Sequence, residues 1–248
     1  MSRTSDDQPI WARPEPGGRR PRLTREQIAR TALEIADREG FDAVSMRHVA
    51  ATLNTGAMTL YNYVRTKDEL VALMHDELMA QVLVPGELPD SWRGALTLIA
   101  HRTHDVMARH PWALNSLQEA QFGPNAMRHF EQTLAALART GIDTPAKFSV
   151  LTLVDDYVRG AVLRASEIRK RKSTADADPA AVQAAIEFGM AQLRTGEFPH
   201  TAALLGGDLS SFPEDAPSPA MAEDGLREQF ERGLRAVLDG AAAEFGLT

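Results

Sequence analysis

The chain has 248 residues, 44% of them apolar, a formal net charge of −7 and no cysteine. That is enough apolar material for one large core or two smaller ones, which excludes a wholly disordered chain, and the missing Cys excludes a disulfide framework, a thiol nucleophile and a thiolate zinc site. No apolar run approaches the roughly 18 residues that a membrane span needs, and no basic start leads into an apolar leader, so no membrane association and a cytoplasmic location are expected.

In chain order, residues 1–22 are rich in Pro, Gly and Arg and lack apolar periodicity, which predicts an unstructured basic arm. Arg19, Arg20 and Arg22 either lie along phosphates or form a solvated tail. Charge favours a polyanion at this end: residues 1–67 hold 11 Lys and Arg against 8 Asp and Glu, whereas residues 68–248 hold 16 against 26. From Thr24 the pattern is helical. Thr24 with Gln27 forms a capping box, Ile28, Ala32, Leu33 and Ala36 share one face, and Gly40 ends the helix. Ser45 caps a second short helix carrying Val49, Ala50 and Leu53, which Asn54-Thr-Gly56 interrupts. A third short helix runs through Tyr63. Thr66 with Glu69 then opens a longer helix through Leu78, which Pro85-Gly86 stops.

Longer helices follow. Ser91 caps one reaching about Arg109, His110-Pro111 breaks it and starts another, and Gly123-Pro124 opens one that Gly141 ends. Thr144-Pro145 begins a helix through Arg169, and Asp178-Pro179 one reaching Leu193. Residues 195–220 read as a loop, and a final helix spans about 221–245 with Leu226, Phe230, Leu234, Val237 and Ala241 on one face. The fold class is all-α. The domains are the arm at 1–22, a helix-turn-helix domain at 23–69, and a larger helical domain at 70–248.

Two short helices around a tight turn match a helix-turn-helix, whose second helix enters the major groove. Leu60 and Val64, four residues apart, face inward and leave Ala57, Met58, Thr59, Tyr61, Asn62 and Tyr63 on the other sides. Ala57 and Thr59 are small enough for the backbone to approach the bases, and Thr59 offers a hydroxyl and a methyl. The tyrosine phenols and Lys67, at a helix N-terminus, suit phosphate oxygens. Arg47 reaches guanine or a phosphate, and Asn62 matches adenine.

The run "TREQIARTALEIADREGFDAVSMRHVAATLN" leading to "TLYNYVRTKDEL" resembles the DNA-binding region of the tetracycline-repressor (TetR) family of bacterial transcriptional regulators. That resemblance implies base or phosphate contacts from Ser45, Met46, Arg47, Ala57, Met58, Thr59, Tyr61, Asn62, Tyr63 and Lys67. Asn54 replaces the usual Gly of the turn, and Asn tolerates left-handed backbone angles. Trp92, "ARHPW" (108–112), "DDYVRGAVL" (155–163) and the Gly-rich last helix resemble the tetracycline-repressor type of sensor domain. Leu117 and Arg164, however, stand where tetracycline-binding members carry a His and a Glu of a magnesium site. No metal or other cofactor and a small organic effector other than tetracycline are therefore expected.

The stretch "KFSVLTLVDDYVRGAVL" is apolar round most of its girth, so its helix needs cover on two sides. One side meets its own domain. The other, near 146–169, is expected to pair with the C-terminal helix of a second copy, with Gly160, Gly233 and Gly240 allowing close approach. The candidate effector-binding residues are Leu96, Ile99, Thr103, His104 and Met107, with Leu117, Gln121, Val154, Asp155 and Val158 from facing helices. Asp155, carried into an apolar helix with Asp156, lines a pocket, meets Arg159 across a dimer or faces solvent. His101 and His104 lie three apart without a matching Glu, so hydrogen-bonded or solvated imidazoles are expected there.

The expected function is a homodimeric repressor that binds a palindromic double-stranded DNA operator and is released by its effector. The alternatives are an effector-independent DNA-binding dimer and an all-helical enzyme. Against the enzyme, no G-x-S-x-G, H-E-x-x-H or Gly-rich phosphate loop occurs.

Overall fold

A computed structural model describes residues 8–16, 23–116, 123–204 and 223–247, and among these all regular structure is helical. α1 (Arg25–Glu39) begins at a reciprocal box: the Thr24 hydroxyl accepts from the Gln27 amide at 3.1 Å, and the Gln27 side chain accepts from the Thr24 amide at 2.9 Å. It stops at Gly40, whose φ of 89° few residues with a Cβ adopt. α2 (Met46–Thr52) is capped by Ser45, which accepts from the His48 amide at 3.2 Å. Asn54 then takes φ 51° in the turn to α3 (Ala57–Tyr61). α4 (Lys67–Val82) starts with Thr66 accepting from the Glu69 amide, while the Glu69 carboxylate accepts from the Arg65 amide at 2.8 Å.

α5 (Trp92–Arg109), the single turn α6 (Ala113–Ser116) and α7 (Pro124–Ala136) follow, then α8 (Thr144–Ala177) and α9 (Pro179–Arg194). α8 runs on past the expected end at Arg169, because nothing before Asp178-Pro179 stops it. Within the expected loop lies a short α10 (Pro199–Leu204), opened by its own proline; α11 (Glu223–Phe245) closes the chain. Residues 205–222, with Gly206-Gly207, lie outside the described residues.

The chain divides into two compact units, one running to Leu163 and resuming at Gly233, the other Arg164–Arg232. In the first, α4 packs against α1, α5 and α7. Ile28, Ala32 and Ile35 of α1, Val49 of α2 and Leu60 of α3 share one core with Leu70, Leu73 and Met74 of α4. α8 buries Val150, Val154, Val158 and Val162, a four-residue repeat that is one helical stripe. Leu234, Leu238 and Ala241 of α11 are buried as well. A Cβ on Gly233 would collide with the phenol of Tyr157, so this glycine serves a close approach within the chain and not the contact between copies expected of it. In the second unit α9 buries no residue and exposes Ile186 and Phe188.

The expectation of an unstructured arm is corrected over residues 8–16. Ile10 is fully buried in the core of the DNA-binding helices, and Trp11 packs partly against it. The Arg25 guanidinium donates to the carbonyl oxygens of Ile10 and Arg13, both at 2.8 Å, and Arg13 pairs with Glu69 at 2.5 Å. Two apolar residues in a polar stretch make no period, yet they suffice to anchor one turn once a core is there to receive them. Arg19, Arg20 and Arg22 lie outside the described residues.

Candidate functional site

The helix-turn-helix presents an outer surface bearing Ser45, Arg47, Met58, Thr59, Tyr61, Asn62 and Lys67, all exposed, with Ala57 half-buried behind them. Ser45 commits its hydroxyl oxygen to capping α2, and the Lys67 ammonium lies 5.3 Å from the Phe41 ring centroid, which holds it at the start of α4. Two expected contact residues are corrected. Met46 and Tyr63 are each only 7% exposed and belong to the core. The helical repeat explains Met46, which shares a face with Val49 and Ala50, whereas Tyr63 lies past the end of α3, where that repeat no longer decides which side is buried. Its backbone is engaged at both groups: the amide donates to the Leu60 carbonyl at 2.9 Å, and the carbonyl oxygen accepts from the Arg25 Nε at 3.3 Å.

Behind this surface, α4 leads to a partly open cavity of about 350 Å³ lined by residues of α4 to α8. Its wall brings together seven of the expected residues, Leu96, Ile99, Thr103 and Met107 of α5 with Val154, Asp155 and Val158 of α8. His104 is not among them; its imidazole lies 3.3 Å from the neighbouring Asp105 carboxylate. Leu117 and Gln121 lie outside the described residues. Sequence reasoning missed His75 and Met79 of α4, His129, Phe130 and Thr133 of α7, and Phe148 and Arg159 of α8. A His in an amphipathic helix carries no signal of the side it faces; the two imidazoles meet only because α4 packs on α7.

Asp155 lines the cavity and pairs with Arg159 one turn along its own helix at 2.9 Å, so its cation lies within the chain. Burial still pushes the Asp155 carboxyl up, with Arg159 opposing and Asp156 reinforcing the shift. Burial pushes both cavity imidazoles down. His129 falls to about 4, desolvation acting first and the neighbouring His75 second. His75 is lowered by desolvation, against Asp76 and with Arg159. Because the unfolded His129 takes a proton near 6.5 and the folded one only near 4, the unfolded chain binds more protons in between. The contribution of His129 to folding stability is therefore fully present above pH 6.5 and is lost as the pH drops from 6.5 towards 4. Thermal melts across this window should show His129→Phe flattening that slope relative to the parent chain; parallel curves would contradict a neutral buried imidazole.

Next to His75, the buried Asp76 joins α4 to α7. Its Oδ1 accepts from the amides of Asn125 at 2.8 Å and Ala126 at 3.0 Å, and its Oδ2 accepts from the Asn125 side-chain amide at 3.0 Å. This is an N-cap supplied from another helix, with the carboxylate on the positive end of α7. Gly123 makes room for it, since a Cβ there would strike the Asp76 carboxylate and, at 2.7 Å, the Trp11 ring.

A helix-turn-helix joined by one helix to a cavity-bearing helical domain is the build of a DNA-binding regulator that carries a ligand-binding domain. Comparison with known proteins agrees. Residues 28–74 match the family described as bacterial regulatory proteins, tetR family, and residues 84–245 match the tetracyclin repressor-like C-terminal domain. The HTH-type transcriptional repressor DrrR1 of Streptomyces coeruleorubidus is 35% identical over 90% of this chain and 78% of its own length. An HTH-type transcriptional regulator of Saccharopolyspora erythraea is 32% identical over 98% of this chain and 96% of its own length. Among solved structures, ActR of Streptomyces coelicolor in complex with actinorhodin superposes with a TM-score of 0.71 at 26% identity, covering 90% of this chain and 97% of that one. The chain belongs to the TetR family of bacterial transcriptional regulators. It is a DNA-binding transcriptional repressor with a ligand-binding C-terminal domain, and not an enzyme. No helix among the described residues is long and apolar enough to cross a membrane, and no three described His, Cys, Asp or Glu side chains converge as a metal site would require.

Proposed function

We propose that this chain acts as a homodimer on a palindromic operator and is released from it when a small organic effector other than tetracycline enters the cavity. The observation that carries this reading is α4 itself. Its first turn bears Lys67 at the DNA-facing surface, and two turns further on His75 and Met79 form part of the cavity wall. A ligand that favours a shifted α4 separates the recognition helices, and a differential affinity of about 1–3 kcal/mol between the two states is typical of such coupling. ActR, at 26% identity, is described in complex with actinorhodin and with (S)-DNPA, which supports an organic effector here. Arg164, and Leu117 outside the described residues, argue against the magnesium chelate of tetracycline.

The dimer face we assign to α8 and α11. Opposite its buried valine stripe α8 exposes Leu153, at 47%, and Leu163, at 41%, with Gly160 between them. α11 exposes Ala236, Gly240 and Ala243. Neither Gly160 nor Gly240 has a neighbour within 4 Å of where a Cβ would sit, so no contact within the chain accounts for them. A two-fold pair places two α3 helices on half-sites one duplex turn apart.

Ser45, Arg47, Ala57, Met58, Thr59, Tyr61, Asn62 and Lys67 are the proposed contacts. Binding to an inverted-repeat fragment at fixed salt tests them: Tyr61→Phe and Lys67→Ala weaken binding about equally across sequences, whereas Arg47→Ala and Asn62→Ala each cost about 1–3 kcal/mol and relax base preference at one position. Uniform losses from all four would remove the assigned readout, and a monomeric protein at micromolar concentration would remove the dimer.

A further inference from the structure

We infer that Trp112, a residue of the C-terminal domain, is a positioning residue for DNA binding, acting through the Phe41 ring on the Lys67 ammonium. This deepens the reading of Lys67 as a phosphate contact and rests on it. The three side chains come from three places in the chain, and each touches the next. Trp112 stacks on Phe41 with ring centroids 5.6 Å apart and an interplanar angle of 16°, and the Lys67 ammonium lies 5.3 Å from the centroid of the same Phe41 ring. Phe41 stands in the short helical turn Phe41–Ala43 that follows α1, and Lys67 opens α4. Both belong to the region at 28–74, whereas Trp112 lies in the region at 84–245, so the contact joins the two domains.

The direction of the effect follows from what fixes each side chain. A lysine ammonium rides on a four-carbon stem, and an exposed one samples many rotamers that a phosphate contact has to freeze. The electron-rich face of a ring within about 6 Å holds it near one place beforehand. Phe41 is only half-buried, so the core alone does not set the plane of its ring. Trp112 sets it, because the indole is itself moored. Its N–H donates to Asp37 Oδ1 of α1 at 2.8 Å, and the Nδ1 of the buried His110 meets the same oxygen at 2.7 Å. The His110 ring also stands edge-on to the indole, with centroids 6.2 Å apart at 76°. Hydrogen bonds close the backbone round this corner: the His110 amide donates to the Met107 carbonyl at 3.2 Å, and the Ala113 amide donates to the His110 carbonyl at 2.9 Å. Met107 and Ala113 are part of the cavity wall, so the corner that moors the indole is built into the C-terminal domain.

The test uses the full-length protein and an inverted-repeat duplex obtained by in vitro selection with the parent chain. Affinity is read by fluorescence anisotropy over a series of salt concentrations. Lys67→Ala should reduce the slope of log affinity against log salt by about one, as one lost phosphate contact requires. Trp112→Leu and Phe41→Leu should each weaken binding about two- to fivefold, the range of one cation–π contact. In the Lys67→Ala chain the same two substitutions should weaken binding no further, because no ammonium is left to place. A general loosening of the structure would instead give equal losses in both backgrounds. Trp112→Phe, which keeps a ring but loses the donor to Asp37, should show a smaller loss confined to the parent background, and it serves if the Leu variants do not fold. Losses that persist beside Lys67→Ala, or parent-like binding by Trp112→Leu, overturn the inference and leave the Lys67 contact standing. A slope unchanged by Lys67→Ala removes the contact itself and the inference with it. A parent chain that selects no inverted repeat does the same.

Discussion

Replacing Asp76 with Ala is expected to lower the thermal unfolding midpoint by roughly 6–12 °C, the equivalent of about 3 kcal/mol in a domain of this size. The carboxylate is 5% exposed and accepts three hydrogen bonds from the first turn of α7. Its removal costs a helix cap, about 1–2 kcal/mol, and leaves buried donors unmatched at about 1–3 kcal/mol more. Water cannot simply take its place, because Gly123 and the Trp11 ring close over the site. Asp76→Asn keeps an acceptor but loses the charge at the positive end of α7, so a smaller drop is expected. Circular dichroism melts of the three chains give the order parent, Asn, Ala. An Ala variant that melts with the parent would mean that α4 and α7 are held together by apolar packing alone. The same variant should also uncouple the two ends of the molecule, since α4 and α7 carry the two cavity imidazoles and Asp76 is the polar tie between them.

Deleting residues 1–16 should have an effect of similar size, about 2–4 kcal/mol from lost burial of Ile10 and Trp11 and from lost hydrogen bonds. A disposable tail would cost nothing. The Arg25 guanidinium loses the carbonyl oxygens of Ile10 and Arg13, and Glu69 at the start of α4 loses Arg13. The segment touches both ends of the coupling path, as Arg13 meets the first turn of α4 and Trp11 sits against Gly123 just before α7. Urea denaturation of the truncated chain should therefore show a lower midpoint with little change in slope. Ile10→Ala alone should reproduce most of the loss, as large-to-small changes at fully buried positions cost about 2–5 kcal/mol. A midpoint unchanged by truncation would return residues 8–16 to the role of solvated arm.

Much of this architecture could be read without coordinates, because its determinants are local. The Thr24–Gln27 box, the Ser45, Thr66, Ser91 and Asp178 caps and the Asn54 turn each depend on residues within a few positions of one another. Apolar repeats of three and four residues likewise predicted which sides of α1 and α5 are buried. Period alone could not say what each buried side meets. Met46 and Tyr63 looked like part of the DNA-facing surface, but packing of α2 and α3 on α1 and α4 takes them into the core. His75 and His129 are 54 positions apart and each looks unremarkable in its own helix; Asp76 and Asn125 are 49 apart. These pairs exist only where α4 and α7 pack side by side, and Ile10 and Trp11 find their place only once the core beneath them has formed. Helix starts and stops are decided by hydrogen bonds within one turn, whereas a cavity wall, a cap borrowed from another helix and an anchored terminal segment are decided by which surfaces meet, and that is a property of the assembled chain.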